Sequence, residues 1–342
     1  VNLPTNSLFR KVAKIGIFKP TRWIWYLHPT TNRVFQYYKS ADVIVCAPGG
    51  ADLGGFLSWK HLAYLYFAIH LHKSLAYFGR SFGPLRDHTF AQRVFRQKSI
   101  EALKQMKFIS LRDGQSQAFA HELDIPFTAT IDSAFLEDVH SIIPSSVQSL
   151  IGTEPYIVFV PNLLTWHYNF AGRISEITVR SFFVQIGKLL RQLYPHKKIV
   201  MLPQLFGARG SDYTLFQWLA HEWGGDNTIV LPDTISSDIQ QSIIAHADLM
   251  IGARYHSVVF AIHNATPLVA LCYEHKISGL LASLNKTDCM VDLIHGLDSE
   301  YCIRHTLSII QEKIGFAQAD KSAATLAHTI AHNGLEAFIK HS

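Results

Sequence analysis

The chain has 342 residues, 48% hydrophobic and 17% charged, with a formal net charge of +5. That balance excludes intrinsic disorder, and the length suits two domains of ordinary size. The basic excess is mild and not gathered in runs, which argues against a nucleic-acid partner and fits a small anionic substrate or loose contact with an acidic membrane surface.

The opening "VNLPTNSLFRKVAKIG" shows no signal peptide, and its first residue, valine, leaves open that the natural N-terminus is missing. No apolar stretch is long enough to span a bilayer. Cys46, Cys272, Cys289 and Cys302 lack CxxC or Cys/His zinc spacing, and the first two sit in apolar runs as buried thiols. A reducing, cytoplasmic setting is expected, at most at the inner face of the membrane.

Val1 to Tyr38, with "RWIWYLHPTTNRVFQYY", is expected to form a helix pair over a first sheet. From Asp42 the pattern alternates. "DVIVCAPGG", "SLAYFG", "KFISLRD" and "FTATID" read as strands, and "WKHLAYLYFAIHLH", "HTFAQRVFRQKSIEALKQM" and "GQSQAFAHEL" as the helices between them. The turn-rich "DVHSIIPSSVQSLIGTEP" reads as a linker. The alternation then restarts, with strands at "YIVFVP", "KIVMLPQ", "NTIVLP", "ADLMIG" and "PLVALCY". Its helices are "TVRSFFVQIGKLLRQLY", "YTLFQWLAHEW", "SSDIQQSIIAH" and "YHSVVFAIHN", and "AATLAHTIAHNGLEAFIKHS" is a terminal helix. The fold class is therefore α/β, with two Rossmann-like domains facing a cleft: residues 1–150, residues 151–318, and a terminal helix over 319–342.

In such folds ligands bind beyond the carboxyl ends of the strands, so those junctions carry the candidate chemistry. In "APGGADLGG" the pair Gly49 and Gly50 lets the backbone approach a ligand, with Asp52 beside it. In "GRSFGPLRD" Arg80 and Ser81 can donate to an anionic oxygen. In "SLRDGQS" Arg112 is a second cation, either facing a ligand or paired with a carboxylate, and Asp113 reads as a helix cap. In "LPQLFGARGSDYT" Gln204 stands at a strand end and Asp212 reads as a cap. The sharpest junction is "GARYHSVVF". Arg254 can grip two oxygens at once, His256 can exchange a proton near neutral pH, and both stand where a helix begins at Tyr255 and turns its amide groups and positive dipole end outward. Lys276, in the next such loop, can face the same place.

The run "GARYHSVVFAIHNATPLVALCYEHKISGLLASL" resembles the signature of polysaccharide pyruvyl transferases: Gly-x-Arg-x-His, an apolar helix, a strand, then Tyr-x-x-Lys. The glycine pair followed by an aspartate, "GRSFGP", "SLRDGQS", Asp132 of "TATIDSAF" and the "PQ" of "MLPQ" agree in order, so the resemblance spans about Ala41 to Leu284. The family's usual N-terminal strand and "GD" loop has no clean match here. The resemblance implies a GT-B-like fold and transfer of the enolpyruvyl group of phosphoenolpyruvate to a sugar, lipid-linked or not, of a cell-surface polysaccharide or its precursor, giving a pyruvate ketal. It implies no metal and no cofactor, because the donor's carboxylate and phosphate can be held by cations and helix amides. The first domain, with the aromatic opening segment, would be the acceptor side and the second the donor side. Arg254, Tyr255 and His256 would hold the donor, with Arg80, Arg112 and Lys276 completing the clamp. His256 would be the acid, and either Asp52 or Asp132 would take the hydroxyl proton. A GT-B glycosyltransferase using a nucleotide sugar, with Glu274 resembling its ribose-binding acid, and a non-catalytic glycan binder are the competing readings.

Overall fold

The computed structural model describes residues 11, 14–18, 23–27, 29–50, 52–54, 57–137, 142–167, 169–205, 212–224, 226–314 and 321–341. Most of the opening segment "VNLPTNSLFRKVAKIG" lies outside them. The chain divides into two compact units, Val1–Ser133 with Thr329–Ser342, and Ala134–His328.

Unit 1 holds a parallel sheet in the order β1-β2-β3-β4, formed by Val43–Cys46, Ser74–Arg80, Phe108–Leu111 and Thr128–Ala129. The connecting helices are α3 (Trp59–His70), α4 (Phe90–Leu103) and α5 (Gly114–Glu122). Each has a start signal: Ser58 accepts from the His61 amide, Thr89 and Gln92 form a capping box, and Asp113 accepts from the Ser116 amide. Because every crossover steps the same way, right-handed connections put all three helices on one face. Alternation along β2 shows what covers each side. Tyr77 meets His61 of α3, whereas Phe78 meets Phe338 of the last helix, α13 (Ser322–His341). Phe108 packs on the same Phe338, and a Cβ at Gly334 would come within 2.2 Å of Thr130 Oγ1, so that glycine seats the helix on the sheet.

The expected helix pair is present as α1 (Ile24–Leu27) and α2 (Pro29–Ser40). It rests on α3 rather than on the sheet. Trp25 and Phe35 are fully buried, with ring centroids 4.6 and 5.2 Å from that of Phe67. Within the stretch read as a linker, Ser145–Ile151 forms α6 and buries Val147 and Ile151; residues 138–141 lie outside the described set. The serine-rich composition hid this short helix.

Unit 2 holds a six-stranded parallel sheet in the order β10-β9-β8-β5-β6-β7. Its strands are Tyr156–Val160 (β5), Lys198–Met201 (β6), Thr228–Val230 (β7), Leu249–Gly252 (β8), Leu268–Cys272 (β9) and Met290–Asp292 (β10). The helices are α7 (Glu176–Leu193), α8 (Asp212–Trp223), α9 (Ser237–Ala245), α10 (Tyr255–His263), α11 (His275–Ser283) and α12 (Glu300–Ile314). Helices α11 and α12 and strand β10 lie beyond the elements read from the sequence pattern. Strands β5, β8 and β9 are wholly buried, which explains their unbroken apolar runs. Among the described residues no helix is long and apolar enough to cross a membrane.

One glycine sets the α7–α8 packing. A Cβ at Gly187 would lie 1.9 Å from Trp223 Cε2, and the Trp223 ring stacks on Phe159 at 5.5 Å. Gly187→Ala is therefore expected to destabilise the protein by about 1–3 kcal/mol despite alanine's better helix propensity. Calorimetric melting checks this; an unchanged midpoint would mean that the indole moves aside at little cost.

Candidate active site

Each unit gathers one group of the residues singled out in the sequence. In unit 1 they stand at the exits of β1 to β4. The Arg80 guanidinium donates to the carbonyls of Ala47 (2.5 Å) and Gly50 (3.3 Å) and to Asp52 Oδ2 (2.5 Å). It lies across Gly49, where an added Cβ would be 3.0 Å from Nη1. The close approach that Gly49 and Gly50 permit is thus made by Arg80 itself. At the next pair Gly54 bridges Gly83, and a Cβ at Gly54 would strike the Gly83 backbone at 2.4 Å; Gly55 lies outside the described residues.

Ser81 is fully buried, and its hydroxyl accepts from Arg112 Nε at 3.2 Å. Arg112 forms an ion pair with Asp132, with residue exposures of 8% and 3%. The carboxylate reading of Arg112 therefore describes the structure, with Asp132 as the partner, and Asp113 is the cap of α5. Both proposed proton acceptors, Asp52 and Asp132, are the ion-pair partners of arginines, and Asp132 is shielded from solvent. Pattern reading passed over His61 of α3. Burial first, and then the charge of Arg80, lower its pKa to about 4, and its Nε2 has no hydrogen-bond partner.

In unit 2 the strand order reverses between β5 and β8, so the crevice at their carboxyl ends is the topological switch point. The register pairs Val160 with Gly252, and Ala253 N–H continues the ladder to the Val160 carbonyl (2.8 Å). Arg254 leaves from that spot as the residue before α10 and makes no capping bond with its side chain. Gly252 is required here because a Cβ would lie 2.3 Å from Ser257 Oγ in the first turn. Tyr255 is partly buried and His256 is exposed, its ring 6.1 Å from that of Phe260.

Arg254 is held by Asp212, which is 4% exposed. One Asp212 oxygen accepts from Arg254; the other accepts from the amides of Gln204 (3.1 Å) and Leu205 (2.9 Å). Asp212 was expected as a helix cap; its described carboxylate bonds instead tie the β6 exit to Arg254, as a strut between them. Residues 206–211 of this loop lie outside the described set. Arg254 Nε, both polar atoms of the Gln204 amide, and Nδ2 of the fully buried Asn162 after β5 are buried without partners. Such groups are costly unless a ligand or water completes them.

The β9 exit supplies Tyr273, Glu274 and, in the first turn of α11, Lys276. Glu274 Oε2 lies 3.6 Å from Lys276 Nζ and 3.9 Å from Nε2 of His167, which follows β5. Burial lowers the His167 pKa against the opposing pull of Glu274. The Tyr273 phenol is pushed well above its ordinary value by burial and then by Glu274, with Arg254 pulling the other way. That phenol therefore feels both charge pairs of the site. Asn162 and His167 follow the strand "YIVFVP", where nothing but a strand end was read; the Pro-Asn at its exit was the available signal.

Two α/β units with parallel sheets, cationic groups at the strand exits and an arginine at a switch point define a GT-B-like protein. Solved structures of that architecture match over nearly the whole chain. UDP-GlcNAc 2-epimerase from Neisseria meningitidis, bound to UDP-GlcNAc, is 9% identical with a TM-score of 0.61, covering 99% of this chain and 84% of its own. The UDP-GlcNAc 2-epimerase from Methanocaldococcus jannaschii is 9% identical (TM-score 0.59; 92% and 83% covered). The UDP-forming trehalose-phosphate synthase from Burkholderia xenovorans is 8% identical (TM-score 0.58; 92% and 79% covered). At these identities the likeness is one of fold. The family model for polysaccharide pyruvyl transferase matches residues 3–275, and the chain belongs to that family of enzymes.

Proposed function

We propose that this polysaccharide pyruvyl transferase takes its pyruvyl group from phosphoenolpyruvate and builds a cyclic ketal on a sugar of a cell-surface polysaccharide or its precursor, at the cytoplasmic face of the membrane. The observation that carries this reading is the placement of Arg254 and His256 at the unit 2 switch point, at the start of α10. A doubly anionic enol ester needs a two-toothed cation and a helix N-terminus. Arg254, oriented by Asp212, supplies the first; the amides at Tyr255 and His256 belong to the second. Lys276 adds charge, and the unpartnered Gln204 amide can both donate and accept.

In this reading the methylene carbon takes a proton from His256 while C2 gains positive character. A sugar hydroxyl attacks C2, the bond from C2 to the phosphate oxygen breaks, and a second hydroxyl of the same sugar closes the ketal. The chemistry as written needs no cofactor beyond the donor. The test is incubation with phosphoenolpyruvate and a panel of sugar and lipid-linked sugar acceptors. Acceptor-dependent phosphate release is expected, with a product heavier by pyruvate less water. Protection against heat by a nucleotide sugar and none by phosphoenolpyruvate would overturn the reading.

A further inference from the structure

We propose that Glu274 is the base that takes the proton of the attacking sugar hydroxyl, an inference that rests on the pyruvyl-transfer reading above. The side chain of Glu274 is only 11% exposed, at the exit of β9 beside the switch-point group. It is the residue before α11, yet its carboxylate makes no capping bond, and glutamate is not a preferred cap. Helix formation therefore does not account for a carboxylate at this buried position.

Its neighbours leave it able to accept. Tyr273 hydrogen-bonds to the Glu274 side chain, while Lys276 and His167 stand at 3.6 and 3.9 Å, beyond hydrogen-bond distance, so the carboxylate keeps lone pairs that these two do not consume. Burial lowers the pKa of His167, and Lys276 is the nearer cationic side chain to the carboxylate. The other carboxylate of the unit 2 site, Asp212, is already taken by two backbone amides and Arg254. Tyr273 couples the two groups, since its buried side chain hydrogen-bonds to Glu274 and also feels the charges of Arg254 and Asp212. A base is thus placed beside the proposed donor grip on the same sheet.

The protons balance. The hydroxyl O–H bond breaks as its oxygen bonds to C2, and that proton passes to Glu274. The proton added at the methylene comes from His256. The phosphate leaves with the electron pair of its bond to C2 and takes the proton of the second hydroxyl. Glu274 then releases its proton to solvent, and His256 recovers one.

The test uses the whole chain, with phosphoenolpyruvate as probe and the acceptor found in the assay above. Glu274→Gln is expected to keep the melting midpoint and bind phosphoenolpyruvate within about twofold of the parent, while transfer falls by about 10²-fold or more. Glu274→Ala should recover part of its rate with added formate, which supplies a carboxylate in the emptied space; a purely structural role would show no such rescue. Turnover of Glu274→Gln near the parent rate, or a loss matched by equally weakened phosphoenolpyruvate binding, would overturn the assignment. If the parent protein itself neither binds phosphoenolpyruvate nor transfers from it, the donor reading falls first and this inference with it.

Discussion

Asp212→Ala is expected to destabilise unit 2 by about 3–5 kcal/mol, the usual cost of removing one partner from a buried ion pair. The change leaves the Arg254 guanidinium without its carboxylate and strips the amides of Gln204 and Leu205 of their acceptor. For a unit of this size the midpoint should fall by roughly 6–20 °C. Donor affinity should fall too, because the carboxylate that directs the guanidinium among the described residues is then gone. Thermal melting and calorimetric titration with phosphoenolpyruvate read the two effects. The double variant Asp212→Leu with Arg254→Met, which replaces the pair by apolar groups, is expected to regain much of the stability and none of the donor binding. A midpoint for Asp212→Ala equal to the parent's would show that Arg254 turns to solvent at no cost, and that the strut is not what orients it.

His256→Ala is expected to lower turnover by about 10²–10⁴-fold, the range that general acid catalysis contributes, while leaving the melting midpoint within experimental scatter. The second half follows from its position: the ring is exposed in the first turn of α10, whose buried residues are Ser257 to Ile262. Steady-state kinetics with saturating phosphoenolpyruvate separate this from a binding defect. Donor affinity should change far less than turnover, since the arginine and the helix amides remain. An unchanged rate would remove the acid role.

Much of the candidate site was legible because its residues are consecutive. "GARYHSVVF" states in one line a strand end, an obligatory glycine, a cation and a histidine, and the helix periodicity that follows fixes where the backbone amides lie. Periodicity likewise marked the strands later found as β1 to β9. Partners distant in the chain were another matter. Asp212 is 42 residues from Arg254, and His167 is 107 from Glu274; no local pattern links either pair. Arg80 and Arg112 stood out at strand ends, but that each pairs with an acid named as a candidate proton acceptor, Asp52 and Asp132, was not legible, because a sequence does not say which charges are matched.

The sequence by itself therefore determined the α/β class, the strand and helix alternation, the family and the arginine–histidine junction, all of which are encoded by local spacing and by which residue types tolerate a given backbone. Only the tertiary structure decided the order β10-β9-β8-β5-β6-β7, and with it the reversal that puts the exits of β5 and β8 side by side. It also decided that the last helix returns to cover the bare face of the first sheet, through Phe338 on Phe78 and Phe108. The physical reason is common to both. Strand order and the matching of buried charges depend on which apolar faces meet when the whole chain collapses, and those contacts join residues whose separation along the chain carries no information about their distance in space.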